Sequence, residues 1–211
     1  MGWQASLSAV AVFAGLAPVA VQATPSRLTI PPATASISSA DPMALARSLV
    51  AGAGHAGRPF AVVDKRQAQI LVFDGDGTLV GRSAALLGRA LGDASVPGVG
   101  LRTQQGRLRD ADRTTPAGHF ASEPGRNRAG EAVVWIDYEA ALAIHRLRRG
   151  PDHASRYRRL AGSDPLARRV SAGCVVVPGA FYDDVVQPWL GRQRGLVLVM
   201  PELDDSPPIA L

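Results

Sequence analysis

The chain has 211 residues, 46% of them hydrophobic and 19% charged, with a formal net charge of +5, which suits one domain with a sizeable core plus some extra segments. The charge is local, because between His145 and Ser171 eight arginines (Arg146, Arg148, Arg149, Arg156, Arg158, Arg159, Arg168 and Arg169) stand against only Asp152 and Asp164. Such a patch attracts anions of several kinds, but aromatics make up only 5% of the chain and few lie near it, so base stacking has little to work with and nucleic acid is not the expected partner.

Residues 1–23 carry no charged side chain, and the apolar run 9–21 is too short to span a bilayer. Val21-Gln22-Ala23 offers the small residues that a signal peptidase reads. Residues 1–23 are therefore expected to be a signal peptide cleaved before Thr24, although the usual early Lys or Arg is missing. Nothing later is long and apolar enough to span. The mature chain is expected to be soluble and monomeric, in the periplasm or cell envelope. Residues 24–58 read as a linker and short helix: 24–40 are rich in Pro, Ser, Thr and Ala, and Asp41-Pro42 is an N-cap with proline in the first turn of a helix running to about Val50.

The main folded domain is expected over 59–200. Phe60–Asp64 and 68–73 are strand-like, and Asp74-Gly75-Asp76-Gly77 is a turn signal. The glycines and proline of 81–112 point to loops with short strands. A further turn, Thr115-Pro116-Ala117-Gly118, precedes strands at 132–136 and 140–145. The arginine-rich stretch reads as a long loop with one helical turn near 155–160. After the cysteine, Phe181, Val185 and Trp189 recur at helical spacing, then 195–200 forms a last strand and 201–211 a loose tail. Many short strands with few helices indicate a mainly β domain.

Cys174 is the only cysteine. In an oxidising compartment it has no internal disulfide partner, so it is a reactive thiol or an intermolecular link. The small residues of Ser171-Ala172-Gly173 before it allow close approach of a substrate, and Val175-Val176-Val177 after it reads as a buried strand. A reactive thiol needs a base or a positive field. Of the four histidines, His55 and His153 are expected at the solvated surface and His119 in local packing. His145 ends the apolar run Ala140-Ala141-Leu142-Ala143-Ile144 and is the candidate base.

Two resemblances compete. Ile70-Leu-Val-Phe-Asp74-Gly-Asp76-Gly-Thr78 is similar to the nucleophile motif of haloacid-dehalogenase-type, Mg²⁺-dependent phosphatases, with Asp74 as nucleophile and Asp76 as acid/base. The only lysine, Lys65, lies upstream rather than downstream, and no alternation of strands and helices follows. A hairpin turn is the favoured reading of that stretch. From about Pro59 to Leu190 the chain resembles the L,D-transpeptidase catalytic domain of bacterial cell-wall enzymes. The resemblance is carried by the 60–80 hairpin, Thr115-Pro-x-Gly-x-Phe120, the strand ending at His145, and Arg169-Val-Ser171-x-Gly173-Cys174.

The resemblance implies a β-sandwich of mixed sheets with a few flanking helices and cysteine-dependent acyl transfer on peptidoglycan stem peptides, with no cofactor and no metal. It implies Cys174 as nucleophile, His145 as base, the backbone N–H groups of Gly173 and Cys174 as oxyanion donors, and Ser171 and Arg169 at the substrate. Three departures stand out: Ala172 where the family usually has His, Val176 where it has Asn or Arg, and a longer spacer from His145 to Ser171. The alternative within this resemblance is an inactive relative that only binds cell wall.

Overall fold

The computed structural model describes residues 41–202. The expected signal peptide, most of the expected linker, and residues 203–211 of the tail lie outside the described residues. No helix among the described residues is long and apolar enough to cross a membrane. Asp41 caps the first helix as its neighbours dictate: its carboxylate accepts the Met43 N–H at 2.9 Å, and Pro42 opens α1, Pro42–Ala51. The helix packs on the domain: α1 lays Leu45, Ala46 and Leu49 on Phe60, Val62, Phe73 and Leu198.

Ten strands follow: β1 Phe60–Asp64, β2 Gln69–Phe73, β3 Leu79–Ala84, β4 Leu87–Gly88, β5 Gly118–Arg126, β6 Ala132–Asp137, β7 Leu142–Arg146, β8 Arg169–Ser171, β9 Val175–Val177 and β10 Gly195–Val199. Eight form one sheet in the order β3-β2-β1-β10-β5-β6-β7-β9, while β4 and β8 pair apart. The sheet is mixed, since β1–β10 and β7–β9 are parallel and the other pairs antiparallel. Strand β5 joins its two halves: Gly118 to Ser122 pair with β10, and Glu123 to Arg126 with β6. Residues from both halves meet in one core, Ala61, Val63, Ile70 and Val197 against Val134, Ile144, Val175 and Val177. The fold is mainly β, with the sheet folded over itself as a sandwich.

Helices close the open sides. The helical stretch after the cysteine runs through α4 (Gly179–Phe181), a π segment (Tyr182–Val186) and α5 (Gln187–Trp189), and buries Tyr182, Val186 and Leu190 in the core. A short helix, α2 (Val99–Gln104), borders the cysteine. The arginine-rich segment holds a full helix, α3 (His153–Ala161), longer than the single turn expected. It is polar, with His153, Ser155 and Arg156 half-buried and only Leu160 fully buried, and Leu160 packs on Leu86, Leu147 and Val176. This contact accounts for two departures together: the long spacer supplies a helix, and the helix needs an apolar Val176 beneath it.

Candidate active site

Strands β7 and β9 run parallel with Ile144 opposite Val175 and His145 opposite Val176, and continuing that register one pair before Ile144 sets Ala143 opposite Cys174. Alternation along a strand therefore puts Cys174, Val176, His145 and Ala143 on one face, away from the core that holds Ile144, Val175 and Val177. Cys174 is half-buried, at the edge of the cluster formed by Leu86, Leu147, Leu160 and Val176. Its thiol donates to the Ala141 carbonyl at 3.5 Å. Ala141 holds that carbonyl in place with φ of 56°, a left-handed conformation that costs a non-glycine residue about 1 kcal/mol or more.

The turn before the cysteine is tied down by side chains. The Ser171 hydroxyl donates to the Cys174 carbonyl at 2.7 Å and accepts the Gly173 N–H at 3.1 Å. The Gly173 carbonyl in turn accepts the Thr115 hydroxyl at 2.7 Å, while Thr115 Oγ1 accepts the Gly88 N–H at 2.8 Å. Gly173 itself is required: its φ is 132°, and a Cβ would lie 2.8 Å from the Thr114 carbonyl oxygen. The Gly173 N–H, expected to face an oxyanion, is thus committed to Ser171, and the Ser171 side chain is committed to the loop rather than to a substrate.

Behind the turn lies a buried charge network. Lys65 donates to Asp93 at 2.5 Å, to the Gly92 carbonyl at 2.6 Å and to the Thr115 carbonyl at 2.9 Å. Glu202 pairs with Lys65 at 3.5 Å and with Arg169, whose guanidinium also donates to the Lys65 carbonyl. The side chain of Arg169 is only 7% exposed and is engaged by Glu202 and the Lys65 carbonyl, so it supports the turn from behind. Burial holds the pKa of Lys65 below its usual range, with Asp93 working against that shift.

The two candidate reacting groups are both neutral at rest. Burial pushes the Cys174 thiol up, opposed by the N–H groups of Ala143 and Cys174 itself and by Arg148 and Arg156. Burial pushes His145 down, opposed first by its hydrogen bond to the Arg146 carbonyl. That bond, 2.9 Å from Nδ1 to an oxygen that only accepts, fixes the proton on Nδ1 and leaves the Nε2 lone pair as the basic position. Glu131, held by Asn127 at 2.7 Å and Arg148 at 2.8 Å, also lies within electrostatic reach of His145.

A cavity of about 30 Å³ opens at Cys174 between Thr114, Leu142 and Ala172. Through Ser95, Val99 and Ala140 it adjoins a cleft of about 570 Å³ that reaches Leu101 and Tyr138, which are 64% and 71% exposed. Exposed apolar side chains beside a thiol suit an elongated, partly apolar ligand.

The remaining expectations are placed differently. His55 is buried, not solvated: it donates Nε2–H to the Gly75 carbonyl at 2.9 Å and meets the Phe60 ring edge-on at 5.5 Å. His119 is half-buried on β5, with Nε2 shut away from solvent. His153 opens α3 and stacks on Tyr157. Asp74 uses its carboxylate on its own hairpin, accepting the N–H groups of Asp76 at 3.0 Å and Thr78 at 2.8 Å, and Asp183 pairs with Arg146. The sequence pointed to Thr115 only as part of a turn, and not to the Lys65 network or the Ala143 N–H. The one available signal was that Lys65 is the sole lysine of the chain.

No family model matches this chain, and no curated sequence matches it. Among solved structures it is similar to an L,D-transpeptidase of Enterococcus faecium (18% identity, 68% of this chain and 50% of that one, TM-score 0.37). It is also similar to an L,D-transpeptidase from Mycobacterium smegmatis (16%, 68% and 58%, TM-score 0.40) and to the helical cell shape determining protein of Campylobacter jejuni (13%, 70% and 49%, TM-score 0.44). The matched part spans about half the length of these solved chains. The TM-scores are low, and none of these likenesses assigns an activity to this chain.

Proposed function

We propose that this chain is a cysteine-dependent acyltransferase of the L,D-transpeptidase type, acting on peptidoglycan stem peptides. The observation that carries the reading is the pairing of β7 with β9, which puts His145 on the same face of the sheet as Cys174, whose thiol borders a small cavity. Because thiol and imidazole are both neutral at rest, proton transfer accompanies attack. His145 Nε2 takes the thiol proton as the sulfur bonds to the carbonyl carbon of an L-centred acyl group. The C–N bond to the terminal D-Ala then breaks, and the proton passes to the departing amine. A second stem's amine, or water, attacks the thioester, gives its proton to His145, and releases the sulfur, which is reprotonated.

The oxyanion donors in this scheme are the backbone N–H groups of Cys174 and Ala143. The Gly173 N–H stays with Ser171. Arg169 and Ser171 act as positioning residues for the turn. The expected outcome is release of D-Ala from tetrapeptide stems by the wild type and none by Cys174→Ala. Equal release by both would refute the proposal. Binding of stem peptide with no release by either would favour the inactive cell-wall-binding relative, a reading for which the burial of the thiol speaks.

A further inference from the structure

Most of the arginines between His145 and Ser171 are already spent. Arg146 pairs with Asp183 at 2.7 Å and lies over the Tyr182 ring, and Arg148 pairs with Glu131. Arg159 donates to the Ala167 carbonyl, Arg168 to those of Gln67 and Gly162, and Arg169 belongs to the buried network. Arg149 and Arg158 are exposed. Arg156 is half-buried and its Nε–H is shut off from solvent with no acceptor, as are Arg146 Nε and Arg169 Nη1, but unlike those two it pairs with no carboxylate among the described residues.

Its direction follows from the helix. Leu160, one turn later on α3, packs against Val176 and Leu147 with Cys174 at the edge of the same cluster. Residues four apart share a helix face, so Arg156 faces the sheet beside the cysteine. Its charge acts on both Cys174 and His145. The charge of Arg148 beside it is countered by Glu131, whereas that of Arg156 is not. A desolvated guanidinium without an acceptor is unfavourable, and its planar fork matches a carboxylate at two points.

We propose that Arg156 is the specificity-determining residue of this site, binding a free carboxylate one residue beyond the carbonyl that Cys174 attacks. Resting on the acyltransferase reading, that carboxylate is the terminal one of the departing D-amino acid. The site prefers stems ending in a free acid.

The test alkylates Cys174 in the full chain with two probes of similar size, anionic iodoacetate and neutral iodoacetamide. Arg156→Gln is expected to lower the iodoacetate-to-iodoacetamide rate ratio about threefold or more. Arg156→Lys should keep part of that ratio, and Arg158→Gln should leave it unchanged. An unaltered ratio in Arg156→Gln, or resistance of native Cys174 to iodoacetate, would overturn the anion site. A second arm compares tetrapeptides ending in D-Ala or in its amide: wild type should prefer the acid and Arg156→Gln should lose the preference. A retained preference would overturn the peptide assignment. Turnover of neither peptide by wild type would sink the acyltransferase reading, while the alkylation ratio still decides the anion site.

Discussion

Two groups of charges flank the Cys174 turn, and the protein treats them in opposite ways. Behind the turn, Lys65 and Arg169 meet Asp93 and Glu202 in a network with little exposure to water. In front of it, α3 brings Arg156 to the same turn with its Nε–H buried and no carboxylate opposite. A buried charge paired with an opposite charge acts as scaffold, because removing one partner strands the other. A half-buried charge left uncountered contributes little to the fold and leaves an acceptor position open for a ligand. The difference separates the residues that hold the turn from the residue that reads what binds there.

The sharpest way to break this comparison is to strand a charge on each side. Glu202→Gln leaves Arg169 without its acid and is expected to cost about 3–5 kcal/mol. Arg156→Gln is expected to stay within about 0.5 kcal/mol of wild type. Denaturant unfolding of both variants checks this, and equal costs would erase the distinction. A smaller loss is expected from Gly173→Ala, about 1–3 kcal/mol, because φ of 132° and the Thr114 carbonyl oppose a side chain there. The same unfolding experiment measures it, and a neutral result would mean that the turn has another conformation in solution.

The smallest effect is on the pH dependence of stability. His145 has its folded pKa depressed, so the unfolded chain binds the extra proton first and stability falls as pH drops below the ordinary histidine range. Cys174 has its folded pKa raised, so the unfolded thiol ionises first and stability falls as pH rises above the ordinary thiol range. Cys174→Ala should flatten the alkaline limb of the unfolding profile and leave the acid limb in place. An unchanged alkaline limb would show that the thiol is not desolvated.

What could be read in advance depended on whether the signal was local. Asp41-Pro42 carries its own cap, Asp74-Gly-Asp76-Gly carries its own turn, and the valines after Cys174 carry their own burial, so helix, hairpin and strand were legible from adjacent residues. The charge network was not, because Lys65, Asp93, Arg169 and Glu202 are brought together only by the folded sheet. The length of α3 was hidden by its polarity, since only Leu160 is buried and Gly150-Pro151 before it reads as a break. His55 looked solvated among glycines, yet those glycines bring it back against Phe60 and the Gly75 carbonyl. The Gly173 N–H could be assigned to Ser171 only once the turn geometry was known.

The central claim is that Cys174 becomes acylated, and intact mass spectrometry tests it most directly. The full chain is incubated with a tetrapeptide stem and quenched in acid during turnover. A mass increase equal to the acyl group without its terminal D-Ala, located on Cys174 and absent from Cys174→Ala, is the result expected. D-Ala released with no acyl adduct on Cys174 in the wild type, or an adduct that persists in Cys174→Ala, would contradict it.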